Sequence, residues 1–338
     1  MLIYERRGIM KRAFLLKLIL SIVFIVMLSG CTNDDNHKDN SVNSNYIEEE
    51  YNLPVENGEI HGTLLMPKGK DSSIVALIIA GSGPTDRDGN NPSAGENNSL
   101  KMIAQALANE GIASVRFDKR GIGESSYLVE KEEDLLFEDY VKDVVAWIEK
   151  LKEDPRFEKV VVIGHSEGAL IGSIAVNQTK ADGFISVAGA GYPAYEILER
   201  QLKVQSEKVF NICKPIIDEL MKGNLVEDVP EGLYSLFRPS VQPYLISWFK
   251  YEPAEEIAKI DVPILIIQGD RDLQITVDNA KQLHKANPRS ELAIVPGMNH
   301  VLKDAPVDRE GNLKTYNDSN LPLNEQFVQE LVKFINEL

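Results

Sequence analysis

KVVVIGHSEGALIG, residues Lys159 to Gly172, joins a short β-branched run to a helix-like segment through a five-residue turn centred on Ser166. Val160, Val161, Val162 and Ile163 suit a strand covered on both faces of a parallel sheet. Gly164 and Gly168 bracket the serine in a G-x-S-x-G pattern, where side chains two residues before and two after would collide in a strained turn. Ala169, Leu170, Ile171 and Ile174 supply the apolar face of a following helix, whose N-terminus favours a developing negative charge. The turn is built to aim Ser166 Oγ outward. Chance yields such a pattern in about one chain in ten of this length, so its weight depends on what surrounds it.

Outward from that turn, the chain alternates strands and helices. Ile74 to Ala80 and Ala113 to Phe117 read as apolar strands, with an amphipathic helix over Leu100 to Asn109 between them. Phe137 to Leu151 is a second amphipathic helix, with Val144, Val145 and Ile148 on one face. After the serine turn come strands at Gly183 to Val187, Pro263 to Gln268 and Glu291 to Val295, with helices at Val277 to Ala286 and Phe327 to Ile335. The rhythm predicts an α/β fold with a mostly parallel, doubly wound sheet of about eight strands. Ahead of it, Tyr46 to Leu53 and Glu59 to Met66 flank an Asn57-Gly58 turn and predict an antiparallel hairpin at a sheet edge.

Two segments break the rhythm. The first 31 residues carry Arg6, Arg7, Lys11, Arg12 and Lys17 ahead of an apolar run, Leu18 to Leu28, and read as an export signal. Leu28-Ser29-Gly30-Cys31 resembles the lipobox of bacterial lipoproteins, which implies lipidation of Cys31, a membrane anchor and an extracytoplasmic location at the cell surface or periplasmic face. Residues 32–45, rich in Asn, Asp and Ser, cannot bury a face and are expected to form a disordered tether to a catalytic domain over 46–338. The second break is a helical insertion at about 191–253. There Val209, Cys213, Ile216 and Leu220 share a helical face, Pro215 is expected to kink or restart the helix, and Gly223-Asn224 to stop it. Cys213 reads as a packing thiol. The aromatic cluster Tyr244, Trp248, Phe249 and Tyr251 reads first as core, with Trp248 also a candidate substrate contact in a cap over a site.

The 338 residues are 43% hydrophobic and 26% charged, enough for one large α/β domain or two small ones. The net charge of −16 becomes −20 once the first 31 residues, with five basic groups and one acidic, are removed; nucleic acid is not the expected partner. Only Cys31 and Cys213 are present, so neither a disulfide framework nor a cysteine metal site can be built. The polar loop Gly81-Ser82-Gly83-Pro84-Thr85-Asp86-Arg87-Asp88-Gly89-Asn90 fails as a calcium loop, because glycine misses position six and Asn97 stands where glutamate is required. It fails as a phosphate loop for want of a Gly-Lys-Ser/Thr.

A serine hydroxyl needs a base, and the base an orienting anion. Gly269-Asp270-Arg271-Asp272 and Asn299-His300 each follow a strand, so the order is Ser166, acid, histidine. Together with Gly164-His165-Ser166-Glu167-Gly168 and Phe117-Asp118-Lys119-Arg120-Gly121-Ile122-Gly123-Glu124-Ser125, they resemble the α/β-hydrolase superfamily from about Tyr46 to Leu338. The 81–90 loop is similar to that of a bacterial subgroup of carboxylesterases acting on short acyl esters. Ala80 departs from the many relatives with histidine there.

The resemblance implies Ser166 as nucleophile, His300 as base and Asp272 as orienting acid, with Asp270 its rival. It implies oxyanion donors in the backbone N–H groups of Ser82 and Glu167, with Gly83 a third candidate, and no metal or cofactor. Arg87 stands open between bracing and substrate contact; Asp118 and Arg120 read as loop braces, and His165 as a packing or turn residue. The Glu167 backbone matters more than its charge in this reading. The implied partner is a small ester, with an amide or peptide hydrolase or an acyl transferase on the same triad as the alternative. Glu196, Glu199 and Glu207 are the acids that could hold an amino terminus in the alternative.

Overall fold

The computed structural model describes residues 45–69 and 72–338. The expected export signal with Cys31, and all but the last residue of the expected tether, lie outside the described residues. Among the described residues no helix is long and apolar enough to cross a membrane.

Ten strands form: β1 (Tyr46–Glu50), β2 (Leu53–Val55), β3 (Gly58–Ile60), β4 (Gly62–Pro67), β5 (Ile74–Ile79), β6 (Ala113–Phe117), β7 (Lys159–His165), β8 (Gly183–Val187), β9 (Ile264–Gly269) and β10 (Glu291–Val295). Eight of them make one sheet in the order β1-β4-β6-β5-β7-β8-β9-β10. The pairings from β6 across to β10 are parallel, and β1 and β4 are antiparallel. Chain order reverses between the neighbours β5 and β7, with Ile79 opposite Gly164; ligands of open α/β sheets bind beyond the carboxyl ends of strands at such a reversal.

The expected hairpin is present but broken in two. β1 pairs with β4, while β2 and β3 form a separate ribbon in the same register. The break falls at Asn52 and His61. Asn52 Oδ1 accepts the Gly62 N–H, and Ser125 Oγ accepts the His61 N–H, so side chains take donors that a ladder would use.

Alternation along the central strands sorts the core onto two faces. Val75, Leu77 and Ile79 with Val160 and Val162 meet α2 (Phe137–Glu153) and α3 (Glu167–Gln178). Ala76, Ile78, Val161 and Ile163 meet α1 (Ser99–Asn109) and the last helix (Glu325–Asn336) through Leu100, Ile103, Leu107, Phe327 and Leu331.

Between β8 and β9 lie α4 (Ala194–Gln205), α5 (Glu207–Met221), α6 (Tyr234–Phe237), α7 (Gln242–Trp248) and α8 (Pro253–Ala258). Most of this segment has its own core, which holds the expected Val209, Cys213, Ile216 and Leu220. Pro215 lies inside α5 and does not restart it; the helix starts instead after Ser206, whose side chain accepts the Val209 N–H. The Cys213 thiol is buried, which raises its pKa to about 11 and keeps it protonated.

Phe137 ties this segment to the sheet domain. It opens α2, stacks on Trp248 at 6.0 Å with rings 4° apart, contacts Tyr251 at 5.1 Å, and gives its N–H to Ser247 Oγ. Phe137→Ala is expected to lower the unfolding free energy by about 3–5 kcal/mol, measured by denaturant titration.

Candidate active site

Steric closeness at the end of β7 sets the geometry. A Cβ on Gly164 would lie 2.3 Å from the Gly168 carbonyl oxygen, and one on Gly168 would lie 2.5 Å from the Ile79 oxygen and 2.8 Å from that of Ala80. Only glycine fits at either place, because real Cβ contacts do not reach such distances. Between them Ser166 sits at φ 56°, ψ −118°, a strained backbone for an L-residue. Its N–H is held by the Val187 carbonyl of the neighbouring strand. Glu167 begins α3, so its N–H lacks an intrahelical acceptor.

The loop after β5 lies directly against this turn. A Cβ on Gly81 would be 3.1 Å from Ser166 Cβ. The Ser82 N–H has no hydrogen-bond acceptor among the described residues, and Thr85 Oγ1 donates to the Ser82 carbonyl. Further along, Asp86 Oδ1 accepts the N–H groups of Asp88 and Asn90, and Asn90 Oδ1 those of Asn97 and Asn98, so the loop is knotted by its own side chains. Arg87 is engaged on several sides: it bonds Asp118 at 2.8 Å and Thr63 at 3.1 Å and pairs with Glu124, while its N–H goes to Asp118 Oδ1. Asp118 also accepts the Glu124 N–H, and Arg120 forks onto Asp143. These three residues brace loops. Trp248 packs on Phe137, and Gly83 lies in the exposed tip of the loop at φ 71°.

On the far side, the loops after β9 and β10 meet. A Cβ on Gly269 would fall 2.0 Å from the Met298 oxygen, which also accepts the Arg271 N–H. That contact brings His300 Nδ1 to 2.8 Å from Asp272 Oδ2. Asp272 is saturated: Gln268 Nε2 donates to Oδ2, and the N–H groups of Gln274 and Ile275 donate to Oδ1. Burial pushes its pKa up, but the charge and hydrogen bond of His300 and those two N–H donors outweigh it, and the net shift is downward. The carboxylate therefore fixes the proton on His300 Nδ1 and leaves Nε2 a lone pair. Asp270 is instead half-exposed and caps the Gly297 N–H.

His165 links serine and histidine. Its Nε2 donates to the His300 carbonyl at 2.8 Å, and the two rings lie 4.9 Å apart. Ser166 Oγ itself makes no hydrogen bond to His300 among the described residues; in resting hydrolases this link is commonly long and tightens on substrate binding.

Three residues escaped sequence reading. Asn299 is fully buried and clamps the histidine loop, donating to Asn312 and Thr315 and accepting from Val301 and Lys303. Gln268 steadies Asp272. Lys119 is buried behind the serine turn, where its Nζ lies 2.8 Å from Glu167 Oε2. The Glu167 side chain, expected to count for less than its backbone, is buried in that ion pair and accepts the Tyr244 hydroxyl as well. Its sequence signal was slight: one acid beside the serine and one base in a loop remote in sequence.

The chain thus has the α/β-hydrolase fold, with serine, acid and histidine at the carboxyl edge of one sheet. A family model described as serine aminopeptidase, S33 (Hydrolase_4) matches residues 95–228. Esterase EstD of Thermotoga maritima is 30% identical over 260 residues, which cover 73% of this chain; the match spans 60% of EstD. Among solved structures, Est1E of Butyrivibrio proteoclasticus bound to ferulic acid is similar at a TM-score of 0.58 and 17% identity, over 85% of this chain and 98% of that one. The Pyrococcus furiosus esterase Pf2001 is similar at 0.55 and 16%, over 90% and 97%.

Burial, and then the neighbouring His300, lower the His165 pKa to about 4, so the folded state holds it neutral. The unfolded chain binds that proton below about pH 6.5. Stability from this group is therefore complete above 6.5 and lost as pH falls toward 4, by up to about 3 kcal/mol. Urea unfolding across that window should show a shallower pH dependence in His165→Gln than in the wild type.

Proposed function

We propose that this protein is a serine hydrolase that cleaves carboxylic esters with short acyl chains. One observation carries the reading: strained Ser166 follows His165, whose ring lies 4.9 Å from that of His300, and His300 is hydrogen-bonded to Asp272. In this reading His300 Nε2 takes the Ser166 proton as Oγ attacks the acyl carbon, and Asp272 stabilises the resulting imidazolium. The Ser82 and Glu167 N–H groups receive the oxyanion. Collapse expels the alcohol, protonated by His300, and water attacks the acyl-enzyme by the same route to release the acid. Such chemistry draws on no metal or cofactor.

Likeness to esterases supports an ester substrate. The family description supports a second reading, hydrolysis of an amide at a peptide's amino terminus. Against it, Glu196 is paired with Arg200 and Glu199 with Lys214 on helix surfaces, which leaves Glu207 alone of the three acids without an ion pair among the described residues. The helical insertion serves as a cap, with Gly83 and Trp248 as candidate substrate contacts, whereas the engagement of Arg87 favours bracing. Cys31 is proposed to carry the lipid that holds the enzyme at an extracytoplasmic membrane surface, on the sequence pattern alone.

A fluorophosphonate probe is expected to label the wild type and not Ser166→Ala, whose ester turnover falls by roughly 10⁴- to 10⁶-fold. Absence of labelling in folded wild type would overturn the serine mechanism. Asp272→Asn should lose about 10⁴-fold in kcat and Asp270→Asn less than about tenfold. A panel of ester chain lengths beside an aminoacyl anilide decides between the two substrates. Separately, metabolic labelling with a fatty acid in a bacterial host should tag the wild type and not Cys31→Ser.

A further inference from the structure

Behind the serine turn lies a buried ion pair that the proposed chemistry does not use. The Lys119 ammonium and the Glu167 carboxylate are both almost inaccessible, with side chains 2% and 1% exposed, and they meet at 2.8 Å. Every partner of the ammonium is a built one. It donates to Glu167 Oε2 and, at 2.7 Å, to the Gly81 carbonyl, and it lies 4.6 Å from the centre of the Tyr140 ring. Glu167 is equally committed, with Oε2 on Lys119 and Oε1 accepting the Tyr244 hydroxyl at 2.6 Å. Burial first, and then the charge of Glu167, raise the Tyr244 pKa well above its usual value, so Tyr244 stays a donor.

The two oxygens to which Lys119 donates are the carbonyl of the Gly81–Ser82 peptide and the side-chain carboxylate of Glu167, and Ser82 and Glu167 are the residues assigned above as oxyanion donors. The Gly81 carbonyl shares a trans peptide with the Ser82 N–H. In a trans peptide the C=O and N–H point in opposite directions, so anchoring one aims the other. Glu167 offers its own N–H at the first position of α3 while its side chain is held by the same ammonium. We propose that Lys119 is a positioning residue for the oxyanion site: through one buried ammonium it locks the Gly81–Ser82 peptide and the Glu167 turn at a fixed spacing. A charge-assisted bond to the Gly81 oxygen also polarises that peptide, which strengthens Ser82 N–H as a donor. Tyr244 extends the lock to α7, so the helical insertion is registered against the same carboxylate.

This inference rests on the serine-hydrolase reading, and the test separates the two. Fluorophosphonate labelling and ester turnover of the wild type test the reading itself. Lys119→Met removes the lock but leaves a buried, unpaired carboxylate, so it risks misfolding. The double variant Lys119→Met/Glu167→Gln removes both charges together and keeps the volume, and circular dichroism with thermal unfolding checks that it folds. Loss of aligned oxyanion donors predicts that the folded double variant loses about 100-fold or more in kcat with KM within about threefold. Its affinity for an alkyl boronic acid, which mimics the tetrahedral intermediate, should fall by a similar factor. Tyr244→Phe, which leaves Lys119 on both partners, should stay within about tenfold of wild-type kcat. An active wild type whose folded double variant keeps kcat within threefold, or loses kcat while boronate affinity holds, overturns the positioning role. Should the double variant not fold, Lys119→Arg decides instead, since the bulkier, planar guanidinium cannot reproduce the ammonium geometry: unchanged kcat and boronate affinity overturn the role, and a parallel loss of both supports it.

Discussion

The structure turns on a place where backbone has no room for side chains. At the end of β7 the chain reverses into α3 so closely that the Ile79 and Ala80 oxygens of the neighbouring strand end lie where a Cβ on Gly168 would go. That crowding forces Ser166 into its left-handed backbone and sets α3 beneath it. It also draws the loop after β5 against the turn, since Gly81 too is within contact of Ser166. The parallel sheet is the frame that makes this closeness tolerable. Its central strands are buried on both faces, so the strain at the turn is held by packing on every side.

A second near-collision builds the opposite half of the site. Gly269 at the end of β9 passes under Met298, and this approach is what lets Asp272 meet His300. Both halves follow one rule. Strands fix positions to within a residue, and glycine at a strand end allows the next loop to cross close by. Polar side chains then lock the loops: Asp86 and Asn90 on one side, Asn299 and Gln268 on the other.

Much of this was legible from the chain. The central strands and the helices around them follow from apolar runs and helical periodicity, and β8, β10 and the helix over Val277–Ala286 fall at the expected residues. Local pattern is enough there because each element buries a face that its own sequence defines. The failures have a common cause. The hairpin breaks at His61 because Ser125, 64 positions away, takes its N–H. Pro215 alone favours a helix break, yet α5 packs one face on the insertion's own core and continues through it. The Lys119–Glu167 pair was invisible because partners 48 residues apart carry no mutual signal in a single sequence. Position along an element is a local property, whereas pairing between loops is not.

The outermost strand carries a different message. β1 reads Tyr-Ile-Glu-Glu-Glu, and Glu48, Glu49 and Glu50 are all exposed along one edge of the eight-stranded sheet formed by the described residues. An open edge is a template on which another strand can add. Here Glu48 is paired with Arg116 and Glu49 with Arg156, so any strand that approached this edge would meet charged groups that must be stripped of water. The same residues that complete the sheet therefore blunt its edge, and charge at that edge works against the addition of another strand to a sheet rich in parallel, aliphatic ones.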